Sequence, residues 1–238
     1  MTGQIFETVL AKKLNTFIQL SSDELSCLAH MQSTPLAVRR GKPLIDEGEK
    51  GQKAFVFQAG WGCSYKDLSN GARQIISFPI AGDCVGLRSI LLKTADHSVS
   101  TLTDAVVTSV DASHVLKCVN EFPRLGTAIL WAASRDEAMV VEHLVNVGRR
   151  NAIERTAHFF MEMAERLSLI GHATPAKFKC PLSQFVLADA LGLTAIHVNR
   201  VLRLLREQEL LLVHKGTVQI LDLKGLRKLA GFQGGYLN

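Results

Sequence analysis

Asn199 and Arg200 stand side by side in a segment with helical periodicity. A planar amide and a planar guanidinium are the side chains that pair bidentately with adenine and guanine edges in a DNA major groove. Val198, Val201, Leu202 and Leu205 follow at i, i+3, i+4 and i+7 and form the stripe to be buried. At about 100° per residue the opposite face carries Ile196, Arg200, Arg203 and Glu207, flanked by His197 and Asn199. The early turns of this helix therefore collect His, Asn and Arg, as a base-reading helix does. A plain helical pair with surface charge has the same spacing, so the surrounding elements must decide.

Those elements are readable. Ser183 can cap a helix Gln184 to Leu191 whose apolar positions are Val186, Leu187 and Leu191. Gly192-Leu193 gives a tight turn, because glycine tolerates a left-handed backbone. Thr194 then caps a second helix, Ala195 to about Gln208. Helix, glycine turn, helix is the helix-turn-helix pattern. Leu210 to Val213, the turn Lys215-Gly216 and Val218 to Leu221 add a β-hairpin wing, which a plain helical pair does not explain. Ser183, Gln184, Thr194 and Ala195 lie at the two helix starts, and Lys215 lies where a wing tip meets a phosphate. With Ile196, His197, Asn199, Arg200 and Arg203 they make up the candidate DNA-binding set.

Charge agrees. From Arg150 onward there are 12 Lys/Arg against 7 Asp/Glu, and before it 15 against 15, so the whole excess of +5 sits in the last third. That suits a polyanion-binding module joined to a neutral one. No uninterrupted apolar run reaches membrane-spanning length, and residues 1–20 lack signal-peptide architecture, so a cytoplasmic protein without membrane partners is expected. The five cysteines, Cys27, Cys63, Cys84, Cys118 and Cys180, are scattered and form no Cys-x-x-Cys pair. Buried free thiols are expected, rather than a disulfide scaffold or a metal motif.

The rest of the chain supplies the neutral module. Residues 1–31 look helical, with Ser22 and Asp23-Glu24 at the start of an amphipathic turn. Strands are predicted at Leu36 to Val38, Ala54 to Gln58, Gln74 to Phe78, Ser98 to Leu102 and Val106 to Val110. Glycines punctuate them, and Asn70-Gly71 predicts a hairpin, since both positions tolerate positive φ. An antiparallel sandwich, barrel or roll follows. Ala112 to Glu121 predicts a helix, and Arg124 to about Val147 a long one. In it Leu125, Ile129, Ala132, Asp136, Met139, His143 and Val147 recur at near-heptad steps, which suits either an internal core or a dimer seam. Ala152 to Ile170 predicts a further helix, followed by a loop Gly171 to Lys179.

With these residues in hand, the chain resembles the CRP/FNR family of bacterial transcription regulators, from about Leu20 to Leu229. The resemblance rests on Gly41, Leu44, Gly48, Gly60, Gly71 and Gly82-Asp83-Cys84-Val85-Gly86 in the β-rich part. In the C-terminal part it rests on Leu182-Ser183-Gln184, Leu187-Ala188, Leu191-Gly192-Leu193-Thr194, Val198-Asn199-Arg200 and Leu204-Leu205-Arg206. It implies an α+β protein in three parts: a cyclic-nucleotide-binding-like β-roll (1–122), a long dimerisation helix (123–149) and a winged helix-turn-helix (150–238). It also implies a homodimer on a near-palindromic double-stranded operator with half-sites ~34 Å apart, and RNA polymerase as a partner if the protein activates. Arg200 falls at the family's guanine reader. Some relatives carry Glu where Ile196 stands; Ile196 cannot accept from cytosine but can touch a thymine methyl.

The effector is where the resemblance thins. Cyclic-nucleotide members follow the glycine at Gly86 with a ribose-binding Glu, and eleven residues after it carry an Arg and then a Ser for the phosphate. This chain has Leu87, His97 and Ser98 there, and Val140 and Val141 where the long helix offers hydroxyls to the base. Without the fixed guanidinium fork, cyclic AMP is not expected to bind tightly. The region Gly82, Gly86, Leu87, His97, Ser98, Val140 and Val141 remains the candidate effector site, its ligand unknown. Iron–sulfur members cluster cysteines near the N-terminus, where this chain has only Cys27, so no cluster is expected; the eight histidines form no haem motif. No cofactor and no metal site are therefore predicted. Regulation without an effector, by expression level or by oxidation of Cys180 beside the helix-turn-helix, is the alternative. An enzyme would need a phosphate loop, nucleophile elbow or zinc motif, and none occurs. A ligand-binding module that does not bind DNA is the remaining class.

Overall fold

The computed structural model describes residues 8–50, 54–90, 92 and 94–237, the side chains of 89 and 90 excepted. By contacts the chain forms two compact units, 1–66 with 78–136, and 67–77 with 137–238.

The first unit opens with helices α1 (Val9–Asn15) and α2 (Ser22–His30). The start of the predicted helical region, 1–7, lies outside the described residues. The cap of α2 is Ser21, one residue before the expected Ser22. Its side chain accepts from Glu24 N while Glu24 accepts from Ser21 N, a reciprocal box that Ser22 is too late to form.

Eight strands follow, all but β5 centred on the first unit, with β5 in the second: β1 (Leu36–Val38), β2 (Pro43–Ile45), β3 (Ala54–Ala59), β4 (Gly62–Asp67), β5 (Arg73–Ser77), β6 (Cys84–Val85), β7 (Ser98–Thr101) and β8 (Ala105–Val110). They form two antiparallel sheets, ordered β1-β8-β3-β6 and β2-β7-β4-β5. β2, β4 and β6 had not been predicted from the sequence. They are too short, or too mixed in composition (Gly-Cys-Ser-Tyr-Lys-Asp in β4), to show alternation. The hairpin at Asn70-Gly71 exists, but only Gly71 has positive φ (83°). The loop is wider than a two-residue turn, with Leu68 N donating to Ala72 O at 2.7 Å.

Period-two alternation divides β3 between two cores. Phe57 points into the roll with Val38, Ile45, Val85, Val99 and Val107. Ala54 and Val56 point the other way, against helices, with Leu10, Leu14, Leu28, Val115 and Leu125. That second core includes α3 (Ala112–Glu121) and the beginning of α4 (Pro123–Arg149). Buried Lys13 of α1 donates to Asp83 at 2.8 Å, so α1 is held by a paired charge. The expectation of free thiols fails at one pair: Cys27 on α2 and Cys118 on α3 are disulfide-bonded, with Cα atoms 6.2 Å apart. They are 91 residues apart in sequence, so their adjacency comes from α2 packing on α3, which spacing could not show. Cys63, Cys84 and Cys180 remain thiols.

The near-heptad stripe of α4 proves mixed. Leu125 and Met139 are buried. A different heptad row, Thr127, Leu130, Ser134, Glu137, Val141, Leu144 and Gly148, is exposed at every step. The inward row dominated the sequence pattern because it is the more apolar of the two.

In the second unit, α5 (Ala152–Leu169) supplies the core through Phe160, Met163 and Ala164. β9 (Lys177–Lys179) interrupts the predicted loop; only its central Phe178 is buried, too short a signal to read. Then come α6 (Gln184–Leu191), α7 (Ala195–Glu207), β10 (Leu211–His214), β11 (Thr217–Ile220) and α8 (Leu223–Ala230). α8 had not been predicted.

Candidate nucleic-acid interface

α6 begins at the Ser183 cap, whose hydroxyl accepts from Val186 N at 3.2 Å. It ends at Gly192 in the left-handed conformation (φ 62°). Two residues on, Thr194 caps α7 by accepting from His197 N at 3.2 Å. The two helix axes meet at 98°, within the usual helix-turn-helix range. Packing fixes that angle. Leu187 and Leu191 of α6 and Val198, Val201 and Leu205 of α7 are all 2% exposed or less. Leu202, assigned to the same stripe, is only half-buried. Arg155 of α5 braces the corner, donating to Leu191 O at 2.9 Å and to Arg150 O at 2.7 and 3.1 Å.

The face left open is the one read from the sequence. Ile196 is 78% exposed, and Thr194, His197, Asn199, Arg200 and Arg203 are exposed with it. Ala195 is half-buried. Asn199 is steadied from α6, its Nδ2 donating to Gln184 Oε1 at 3.3 Å. Among the described residues the side chains of His197 and Arg200 have no hydrogen-bond or ion-pair partner, whereas Arg203 lies 3.7 Å from Glu207 one turn on. That exposed pair contributes little, so it does little to fix the Arg203 side chain.

Sequence reasoning missed three contributors. Phe185, at the second position of α6, is 75% exposed beside Ser183 and Gln184. A large apolar residue so open is unusual, and an aromatic where α6 needs none for its core was the available signal. The wing itself is a three-stranded sheet, β10-β11-β9. Its inner row, Val213, Val218 and Phe178, pairs across the strands. Its outer rows are His214-Thr217-Lys179 and Leu212-Gln219-Lys177. With His172 and Lys215 they line a basic groove of about 590 Å³. The alternation Lys177-Phe178-Lys179 was the only clue to it. Lys215 and Gly216 form the two-residue turn at the tip, both at positive φ (45° and 67°), the conformation that suits a tight hairpin.

The other candidate residues behave differently. In the first unit Gly82 is buried, and Gly86 and Leu87 are half-buried. His97 Nδ1 is 2.8 Å from Asp96 Oδ1, and Arg88 lies 3.4 Å from the same carboxylate. Burial alone would raise the Asp96 carboxyl, but His97 and Arg88 outweigh it and hold it below the usual range. Ser98 Oγ accepts from Glu47 N at 3.0 Å. Val140 and Val141 are exposed on the part of α4 that belongs to the second unit. Cys180 is 2% exposed, and burial pushes its thiol up to about 12, which leaves little thiolate to oxidise. Among the described residues no group of three His, Cys, Asp or Glu is placed to hold a metal ion, and no single helix is long and apolar enough to cross a membrane.

A helix-turn-helix braced from behind, with a β wing and a polar outward face, defines a winged-helix DNA-binding protein. Residues 154–229 match the Crp-like helix-turn-helix domain family, and residues 35–122 match the cyclic nucleotide-binding domain family. The chain is 30% identical over 166 residues to the nitrogen fixation regulation protein FixK of Bradyrhizobium diazoefficiens, covering 70% of this chain and 69% of that one. It is 25% identical over 212 residues to the fumarate and nitrate reduction regulatory protein of Vibrio cholerae, covering 89% and 84%. The solved structure of FixK2 from Bradyrhizobium japonicum superposes with a TM-score of 0.76 at 26% identity, over 84% of this chain and 98% of that one. The chain belongs to the CRP/FNR family of transcription regulators.

Proposed function

We propose that this regulator binds a near-palindromic operator as a homodimer, reading bases through the first two turns of α7. The observation that carries the reading is the outward face of α7, where His197 and Arg200 are exposed and, among the described residues, unpaired while Asn199 is oriented by Gln184. Polar groups left open on a rigid, capped helix are prepared for an external partner. Arg200 pairs with guanine and Asn199 with adenine, Ile196 packs on a thymine methyl, and Lys215 and the lysines of β9 meet phosphates. Ser183, Gln184, Thr194 and Ala195 hold the backbone register at the helix starts. Phe185 joins Ile196 as an apolar contact.

The dimer forms through the exposed row of α4 from Thr127 to Gly148, against the same row of a second copy. Leu130, Val141 and Leu144 supply its apolar steps, and Ser134 and Glu137 fix its register. The protein works in the cytoplasm, has no catalytic role, and contacts RNA polymerase where it activates. Its roll does not recognise cyclic AMP, because Leu87 and His97 offer neither the carboxylate nor the guanidinium fork, and His97 is committed to Asp96.

Selection of duplexes from a random pool by the full-length protein tests the reading. The bound pool is expected to converge on an inverted repeat with half-sites one helical turn apart. Retention of unrelated sequences without a repeat would contradict it.

A further inference from the structure

A disulfide is out of place in a protein that works on DNA. The reducing interior of a cell keeps thiols reduced, and a disulfide that forms there is usually transient and redox-sensing. This premise rests on the DNA-binding function proposed above; the geometry below does not. The bond joins α2 to α3 through residues of unequal access: Cys27 is half-buried, whereas Cys118 is 4% exposed. Its surroundings are apolar, with Leu28, Met31, Val115, Leu125 and Ala128 in the same core and Phe122 and Ile129 packed against it. α3 passes into α4 through Phe122 alone, so whatever holds α3 also holds the first turns of α4. The exposed row of α4 begins on those turns, at Thr127 and Leu130.

We infer that Cys27 and Cys118 are a reversible thiol–disulfide pair, oxidised by hydroperoxides, whose state sets how firmly the N-terminal half of α4 is held for dimerisation. Cys27, the more accessible sulfur, attacks as the thiolate. It takes the terminal oxygen of the hydroperoxide, the O–O bond breaks, and an alcohol (water from hydrogen peroxide) leaves, which gives Cys27 sulfenic acid. Cys118 then attacks the Cys27 sulfur and expels water, closing the disulfide. Two thiols lose two electrons and two protons in all, and the hydroperoxide is reduced to alcohol and water. A dithiol reverses the bond by exchange through a mixed disulfide. The bond closes a long loop around all eight strands of the first sheet pair, so the oxidised form loses less chain entropy on folding. The three remaining thiols stay out of this chemistry: Cys63 and Cys180 are buried, 1% and 2% exposed, and burial pushes Cys84 up to about 12.

The test uses the full-length protein, reduced with dithiothreitol, desalted and treated with hydrogen peroxide. Intact and peptide mass spectrometry should show a Cys27–Cys118 cross-link that forms with peroxide and disappears with dithiothreitol. Sedimentation should give a dimer dissociation constant about 5-fold or more lower for the oxidised form, a coupling of ordinary allosteric size. Cys27→Ser and Cys118→Ala should each abolish both changes, and Cys180→Ser should preserve them. The inference is overturned if peroxide yields no such cross-link, if dithiothreitol does not reverse it, or if the two states of the wild-type chain dimerise equally. None of these readouts needs an operator. A chain that shows the redox change but selects no DNA sequence would instead defeat the DNA reading.

Discussion

The two units treat their polar groups in opposite ways. In the helix-turn-helix, Arg200 and His197 face solvent on a helix fixed from behind by Val198, Val201, Leu205 and the Arg155 brace. In the roll, the residues at the family's effector positions are turned to internal use, His97 to Asp96 and Ser98 to the backbone of Glu47. The family frame is present in both, but among the candidate polar residues those of the helix-turn-helix face outward while His97 and Ser98 are engaged internally. A shared fold therefore carries the DNA reading further than it carries any ligand reading.

The largest effect is expected from the exposed row of α4. Leu144→Asp puts a charge on each side of the proposed seam and should cost several kcal/mol of dimer stability, on the order of 100-fold or more in operator affinity. Sedimentation would show a monomer, and an unchanged dimer would move the interface elsewhere.

Next comes the stability of the second unit against acid. His158 is 1% exposed, and its Nδ1 accepts from Asn146 Nδ2 at 2.9 Å. Glu142 lies 3.4 Å from its Nε2 but is engaged by Arg150 at 3.1 and 3.2 Å. Burial, aided by Arg150 and His143, lowers His158 to about 4. The folded form then binds fewer protons than the unfolded chain, whose value is near 6.5. The stabilisation is complete above that value and is lost as pH falls toward 4, in total about 3 kcal/mol. Denaturant titrations should find a shallower slope between these pH values in His158→Gln. Equal slopes would mean the ring is already charged in the fold.

Arg200→Ala is expected to lose about 1–3 kcal/mol of operator binding and to relax preference at a single base pair. Competition among operator variants measures this, and weakening by the same factor on every sequence would make Arg200 a phosphate contact. The smallest expected effect belongs to the roll: calorimetry with cyclic AMP should give no heat of binding, and micromolar affinity would overturn the contrast between the units.

Legibility followed locality rather than the boundary between the units. α3, α6, α7 and the wing hairpin were readable because their caps, glycines and apolar steps are local. Ser183, Gly192, Thr194 and Lys215-Gly216 each do in the structure what their types suggested. The Cys27–Cys118 bond, the split of β3 between two cores and the choice between two rows of α4 were not readable, since each depends on what packs against it from far along the chain. β9 failed for a simpler reason, being too short for a period to emerge, whereas α8 is as long as α6 and carries its own local signals, the Asp222 cap and Gly231. Phe185 stands outside the apolar positions read for α6, and its 75% exposure depends on what packs against the helix.

The central claim concerns the outward face of α7. Binding of the full-length protein to a selected duplex and to a scrambled one, across a salt series, tests it most directly. The account predicts that the selected duplex binds at least ~1000-fold tighter at physiological salt and that its affinity falls steeply and linearly in log–log form as salt rises. Equal affinity for both duplexes, or an affinity indifferent to salt, would contradict it.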